Sequence, residues 1–267
     1  MKQSRLLTVF LTIYLGAVFV FIFAPIVASV VFSFNSDRFP TIPLGTFTTK
    51  WYTAIAANPQ IAEAFRTSAV VAASSAVLAT FIGFCTAYTD YRFSFRGKGL
   101  FLALGLLPPT IPAVIMGLAM LAWFSRLQIT GTVTAIVIAH TVLCAPFATA
   151  VIRLRLAQMD PNLEPAAWNL GASQWRTMRE VILPFTLPSI VSALCLTAAV
   201  SFDEFAVAWF VSGLNKTVPV AILEILTGNV DPQINAIGTI VFATTVILVI
   251  AAQLLAGLKQ RKADTAK

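Results

Sequence analysis

The chain has 267 residues, of which 58% are apolar and 11% charged, and its mean hydropathy is +0.85. Soluble domains carry about 25% charged residues, so this chain lacks the polar surface to face water all round; an ordinary cytosolic enzyme, a disordered protein and a secreted disulfide scaffold are excluded. Eighteen basic against eleven acidic residues give a net charge of +7, but the cations lie between apolar runs and form no basic face for nucleic acid, and the expected class is an all-α integral membrane protein.

A transmembrane helix needs about 20 mostly apolar residues, and six windows qualify: 8–33, 65–89, 100–124, 131–153, 186–212 and 236–257. The first follows Lys2 and Arg5 as a signal peptide would. Its apolar stretch, Leu6 to Phe34, is longer than a signal core of about 7–15 residues and has no convincing cleavage site, so it is expected to stay attached. An outer segment completes residues 1–64, and Trp51 and Tyr52 predict a short interfacial helix within it. Pro25 in the first window and Pro146 in the fourth read as structural kinks. Pro108, Pro109 and Pro112 crowd the third, and the backbone donors they remove predict a broken helix lining a cavity. His140, the single histidine, sits inside the fourth window and reads as a hydrogen-bonded interhelical residue. Cys85, Cys144 and Cys195 lie far apart without metal-ligand spacing and read as small hydrophobes.

Thirteen Lys and Arg fall on one side of these windows: Lys2, Arg5, Arg92, Arg96, Lys98, Arg153, Arg155, Arg176, Arg179, Lys259, Arg261, Lys262 and Lys267. Five fall on the other: Arg38, Lys50, Arg66, Arg126 and Lys216. The positive-inside rule predicts cytoplasmic termini and cytoplasmic loops 90–99 and 154–185, with a cytoplasmic tail over 258–267. Asn215-Lys216-Thr217 matches a glycosylation acceptor on the outer side, a tripeptide that arises easily by chance. No phosphate-cradling loop is present, because Gly97-Lys98-Gly99 lacks both the upstream glycine and the Ser/Thr. A nucleophile elbow and an H-E-x-x-H motif are also missing, so no enzymatic chemistry, metal site or cofactor is expected in this chain.

The segment 160–184 has a pattern of its own. Asn162 is a plausible N-cap, Pro165 falls in the first turn, and Leu163, Trp168 and Leu170 surround the small pair Ala166-Ala167. Gly171 predicts a left-handed stop, and Ser173 a cap for a second helix from Gln174 to Leu183, ending at Pro184. Two short helices about a glycine turn, with apolar residues facing the cytosol, suggest a docking knob; a connector packed against its own bundle is the alternative.

This segment resembles the cytoplasmic loop of binding-protein-dependent ABC importer permeases, E-A-A, three residues, G, nine residues, I-x-L-P. Anchored on Gly171, the match gives Ala166, Ala167, Val181, Leu183 and Pro184. Pro165 stands where the motif has glutamate, with Glu164 one position earlier, and Val181 replaces isoleucine. The resemblance covers about 65–257 and implies a type I ABC importer permease fold, a five-helix core with the first span added. It also implies that Glu164, Ala166, Ala167, Gly171 and Ala172 couple to a separate ATPase subunit. That partner would hold the ATP and Mg.

Asp203-Glu204 is the second unusual feature, an acidic pair inside the fifth window. An acid at such depth costs at least about 2.5 kcal/mol on insertion scales, so the pair is either structurally satisfied or lines a path for a cation. On a continuous helix Glu204 shares a face with Thr197, Ser201, Ala208 and Ser212, whereas Asp203 has apolar neighbours. Glu204 is then the better candidate for a hydrated path, with Asp203 at its edge. Phe202, Phe205 and Trp209 form a second stripe, and Trp209 offers a cation–π face.

Ser201-Phe202-Asp203-Glu204-Phe205 and Phe210-Val211-Ser212-Gly213 resemble the fifth-span segment of the second membrane subunit of spermidine/putrescine importers. That likeness implies a polyamine substrate. No Lys or Arg accompanies the acids in this window, which disfavours an anion. Together these readings predict a six-span subunit of a bacterial inner-membrane importer. Its expected partners are a homologous permease subunit in a heterodimer, two ATP-binding subunits and a periplasmic solute-binding protein, within the lipid bilayer. A permease for another solute is one alternative. A stand-alone ion-coupled carrier using Asp203, Glu204 and His140 is the other, and such carriers often show repeated broken helices; no counterpart to the broken third window is evident.

Overall fold

The computed structural model describes residues 5–37, 42–228 and 233–264. Of the predicted orientation markers, Lys2, Arg38 and Lys267 lie outside these residues, as does the end of the 258–267 tail. The described residues are helical throughout, apart from loops and an antiparallel bridge between Asn35 and Phe47.

Helix α1 spans Arg5–Ser33, α2 Lys50–Ala57 and α3 Pro59–Arg92. The predicted third span is broken into α4 (Lys98–Leu106), a 3-10 turn (Pro108–Thr110) and α5 (Ala113–Arg126). The break falls at the proline cluster. Ile111, just before Pro112, is extended at φ −82°, ψ 130°, the conformation a following proline enforces. Pro25 and Pro146 are absorbed inside α1 and α6 (Val133–Leu156). Among the described residues, five helices are long and apolar enough to cross a membrane: Leu7–Ser33, Pro59–Arg92, Val133–Leu156, Gln174–Asp203 and Gln233–Ile250. The predicted third window does not supply a sixth, because neither of its halves is long enough alone.

Two further boundaries differ from expectation. The second helix of the 160–184 segment does not stop at Pro184. After α7 (Leu163–Asn169) and the turn, it runs from α8 (Gln174–Thr177) through a π-turn over Met178–Ile182 into α9 (Leu183–Asp203). The Pro184 ring would clash with the Glu180 carbonyl one turn back in a regular helix; the wide π-turn accommodates it. The predicted fifth span is also interrupted. Glu204 is extended at φ −70°, ψ 119°, and a short α10 (Ala206–Val211) follows it. The chain ends with α11 (Val218–Gly228) and α12 (Gln233–Asp264).

The chain groups into two compact units. One comprises the described residues of 1–62 and 222–243. Within it a short helix, α2, forms where Trp51 and Tyr52 led one to expect a helix, fixed by Trp51 Nε1 donating to the Asn35 carbonyl at 2.8 Å and by a 2.7 Å hydroxyl contact between Tyr52 and Ser33. Phe34 stacks on Phe47 with ring centres 5.1 Å apart.

The other unit comprises 63–221 and the described residues of 244–267. Its axis is α6, whose buried face carries Ile136, Ala139, His140, Leu143, Cys144, Ala148 and Ile152. Helix α6 packs along α9, and α5 packs along α10. Small residues set the spacing. A Cβ added at Gly83 on α3 would lie 2.6 Å from Ala148 Cβ and 2.7 Å from the Thr149 backbone nitrogen, so the two helices touch backbone to backbone. This replaces the bulk hydrophobic drive that lipid does not supply between helices.

Candidate substrate path and docking knob

The substrate-path candidates start from the interruption of α9. Neither proline nor glycine marks it; the carboxylate of Glu204 stabilises it, with Oε1 accepting a hydrogen bond from the Val207 backbone N–H at 2.9 Å. That N–H belongs to the first turn of α10, which otherwise lacks an internal partner. Asp203 is exposed, and its two carboxylate oxygens lie 3.2 and 3.4 Å from the donating Thr245 hydroxyl on α12. Thr245 is a residue that pattern reading missed. Its signal is weak, since Thr244 beside it and Thr239 on the same helix carry the same hydroxyl. Trp209 is also exposed, with its ring 5.8 Å from that of Phe205.

Thr197 and Ser201 do not join Glu204 on an open stripe. Both are buried, and the break ends the helical register that would have aligned Glu204 with Ala208 and Ser212. The Thr197 hydroxyl turns back to the Ala193 carbonyl at 2.8 Å. Ser201 Oγ shares a 2.8 Å hydrogen bond with His140 Nδ1 and lies 2.8 Å from Ser75 Oγ. Thus α3, α6 and α9 are tied together just before the break, and His140 is the interhelical residue that its position suggested. Its Nε2 is buried without a hydrogen-bond partner.

His140→Leu is therefore expected to cost about 0.5–1.5 kcal/mol, the net worth of one lost hydrogen bond, since Ser201 Oγ keeps its bond with Ser75. His140→Asn, whose amide nitrogen sits near the Nδ1 position, should recover most of it. Thermal unfolding of the purified membrane complex measures both.

The 160–184 segment turns where Gly171 predicted. Gly171 has φ +84°. Its N–H donates to the Trp168 carbonyl at 2.9 Å, and the Ala172 N–H donates to the Ala167 carbonyl at 3.0 Å. This pair closes the last turn of α7 in a Schellman arrangement. Ser173 caps α8, its Oγ accepting from the Arg176 N–H at 3.2 Å. Asn162 does not cap α7. It has helical dihedrals, and both its N–H and its side-chain amide donate to Asp160 Oδ1, at 2.9 and 3.1 Å. Asp160 makes the turn because Pro161 after it offers no competing N–H.

Leu170 is 89% exposed and Trp175 74% exposed. With Leu163 at 42%, they are the large apolar side chains that this segment exposes, along with exposed Ala166 and half-buried Ala167 and Ala172. Glu164 does the opposite. It is 5% exposed and pairs with Arg92 at 3.0 Å, Nε to Oε2. Burial pushes its carboxyl above the ordinary range, opposed by the Arg92 charge. The Arg92 guanidinium in turn lies 4.8 Å over the Trp168 ring. Among the knob residues that the motif singled out, Glu164 thus faces its own chain.

Comparison with known proteins agrees with this architecture. The family model described as "Binding-protein-dependent transport system inner membrane component" matches residues 77–263. The spermidine/putrescine transport system permease protein PotC of Escherichia coli (strain K12) is 33% identical over 244 residues, 91% of this chain and 92% of the relative. The putrescine transport system permease protein PotI of the same organism is 32% identical over 239 residues, 86% of this chain and 84% of the relative. Among solved structures, a bacterial ABC transporter involved in the import of the acidic polysaccharide alginate has a chain that superposes with a TM-score of 0.73 at 14% identity, covering 96% of both chains. At that identity the likeness concerns the fold. The extent of the family match and the identity to full-length relatives make this chain a member of the binding-protein-dependent transport system inner membrane components, the multi-pass permease subunits of ABC importers.

Proposed function

We propose that this permease subunit moves a polyamine, putrescine or spermidine, from periplasm to cytoplasm. The observation that carries this reading is the acidic break in the fifth span. Asp203 and Glu204 stand where the helix opens, Asp203 is exposed, and no Lys or Arg lies in α9 or α10. A carboxylate pair at such a place attracts a chain of ammonium groups and repels an anion. Sequence identity to PotC and PotI supports the same substrate class.

In this reading the chain crosses a bacterial inner membrane six times, with the broken α4–α5 pair as one crossing and both termini in the cytoplasm. It pairs with a homologous permease subunit and receives substrate from a periplasmic binding protein. Two ATP-binding subunits, which hold ATP and Mg, dock on the 160–184 segment. ATP binding draws them together, the knobs follow, and the cavity turns outward; hydrolysis resets it. The chain itself carries the path and performs no covalent step.

Uptake of labelled putrescine and spermidine in cells deleted for this chain, with and without its restoration, tests the reading. Restoration should return polyamine uptake. Unchanged polyamine uptake on deletion, in cells with no redundant importer, would contradict it.

A further inference from the structure

The cytoplasmic end of α3 carries two charged residues that the substrate path and the docking face do not use. Asp90 and Arg92 are two positions apart, about 200° around a helix, so they point to opposite sides. Asp90 is buried and sits at the C-terminal end of α3, where the helix dipole disfavours an anion. Two cations from different helices compensate it: Arg153 Nε of α6 lies 2.5 Å from Oδ2, and Lys98 Nζ at the start of α4 lies 3.2 Å from Oδ1. Lys98 also donates to the Asp90 carbonyl. On the other side Arg92 pairs with buried Glu164 of the knob at 3.0 Å and lies over Trp168.

We propose that Arg92 and Asp90 make the end of α3 a transmission hub, which clamps the docking knob on one side and α4 and α6 on the other. Displacement of the knob then reaches the membrane helices through α3 as well as along the chain into α9. The shifted acid explains how. With Pro165 at the motif's glutamate position, the neighbouring Glu164 turns inward and is spent on a contact within its own chain. A π-turn lies between α8 and α9, and such wide turns are local departures from regular helical hydrogen bonding. The side contact to α3 adds a second route beside this covalent one. Arg92 is on this account a positioning residue, and the inference rests on membership of the ABC importer permeases, not on polyamine as substrate.

The test uses the complete complex, this chain with its partner permease, ATPase subunits and binding protein, reconstituted in liposomes with spermidine as probe. Arg92→Gln should leave co-purification of the ATPases and basal ATP hydrolysis near wild type. Stimulation of hydrolysis by the binding protein, and transport per ATP, should each fall about tenfold. Combining Arg92→Glu with Glu164→Arg should restore part of both. In a second arm Arg92→Cys and Glu164→Cys are combined in a chain whose own three cysteines are replaced by serine. The pair should be uncoupled until a short bifunctional thiol reagent joins α3 to the knob, and coupled afterwards.

Unchanged stimulation in Arg92→Gln, loss of ATPase co-purification, or failure of the cross-link to restore coupling would each overturn the hub. If wild-type hydrolysis responds to the binding protein but not to spermidine, the polyamine reading falls, and the comparison of variants by stimulation still decides the hub.

Discussion

Gly171→Val is expected to leave the protein in the membrane and to lower uptake by roughly tenfold or more. The φ of Gly171 is +84°, a region in which an L residue with a Cβ pays about 1–2 kcal/mol, and 1.4 kcal/mol is already about tenfold in a rate. Apart from its chain neighbours, no described residue lies within 4 Å of a Cβ placed there, so the packing around it does not reject the side chain. The harm falls on the turn. If it relaxes out of the left-handed region, the hydrogen bonds that close α7 are lost, and α8 changes its angle to α7. Leu170 and Trp175, the two most exposed apolar side chains of the knob, then lose their present placement relative to each other. Gly171→Asn should keep most of the activity, since asparagine tolerates this conformation. Uptake normalised to the amount of protein in the membrane separates the two variants. A valine variant with normal uptake would remove the docking role of the turn.

Glu204→Gln should also lower polyamine uptake by about tenfold or more, for a different reason. The amide keeps an oxygen in place of Oε1, so the Val207 N–H remains capped and the break between α9 and α10 persists. What disappears is the charge. A unit charge pair at 4 Å is worth about 1 kcal/mol in water and about 4 kcal/mol near a protein surface, a range that brackets the expected loss. Glu204→Leu should do worse, because it removes the cap as well and lowers the amount of folded complex. Asp203→Asn should have the smaller effect, since its carboxylate is already engaged by Thr245. Initial rates of labelled putrescine and spermidine uptake, with membrane levels by immunoblot, measure all three; equal uptake in Glu204→Gln and wild type would remove the acid from the path.

What pattern reading captured and missed has a physical basis in each case. Proline leaves a chemical mark on the chain, so the breakage of the third window was legible. Gly171 and Ser173 carry the local chemistry of their turn and cap, and both sit where that chemistry requires. The interruption at Glu204 has no such mark. A carboxylate reaching forward to cap α10 creates it, and a helical-wheel argument run through it placed Thr197 and Ser201 on an open face when they are buried. Pro184 was misread for the opposite reason, because a π-turn absorbed the ring that would otherwise end a helix. The inward turn of Glu164 depends on Arg92, a residue remote in sequence, and periodicity contains no information about such pairing. His140 was legible as an interhelical residue because a lone polar ring in an apolar span has few other satisfactory places, but its partners Ser201 and Ser75 were not.

Transport by the purified complex in liposomes tests the central claim most directly. With the partner permease, the ATPase subunits and the binding protein present, labelled spermidine should enter only with ATP, and binding protein loaded with spermidine should accelerate ATP hydrolysis. Spermidine entry that persists without ATP or without the ATPase subunits, or an importer that hydrolyses ATP normally and moves neither polyamine, would contradict the account.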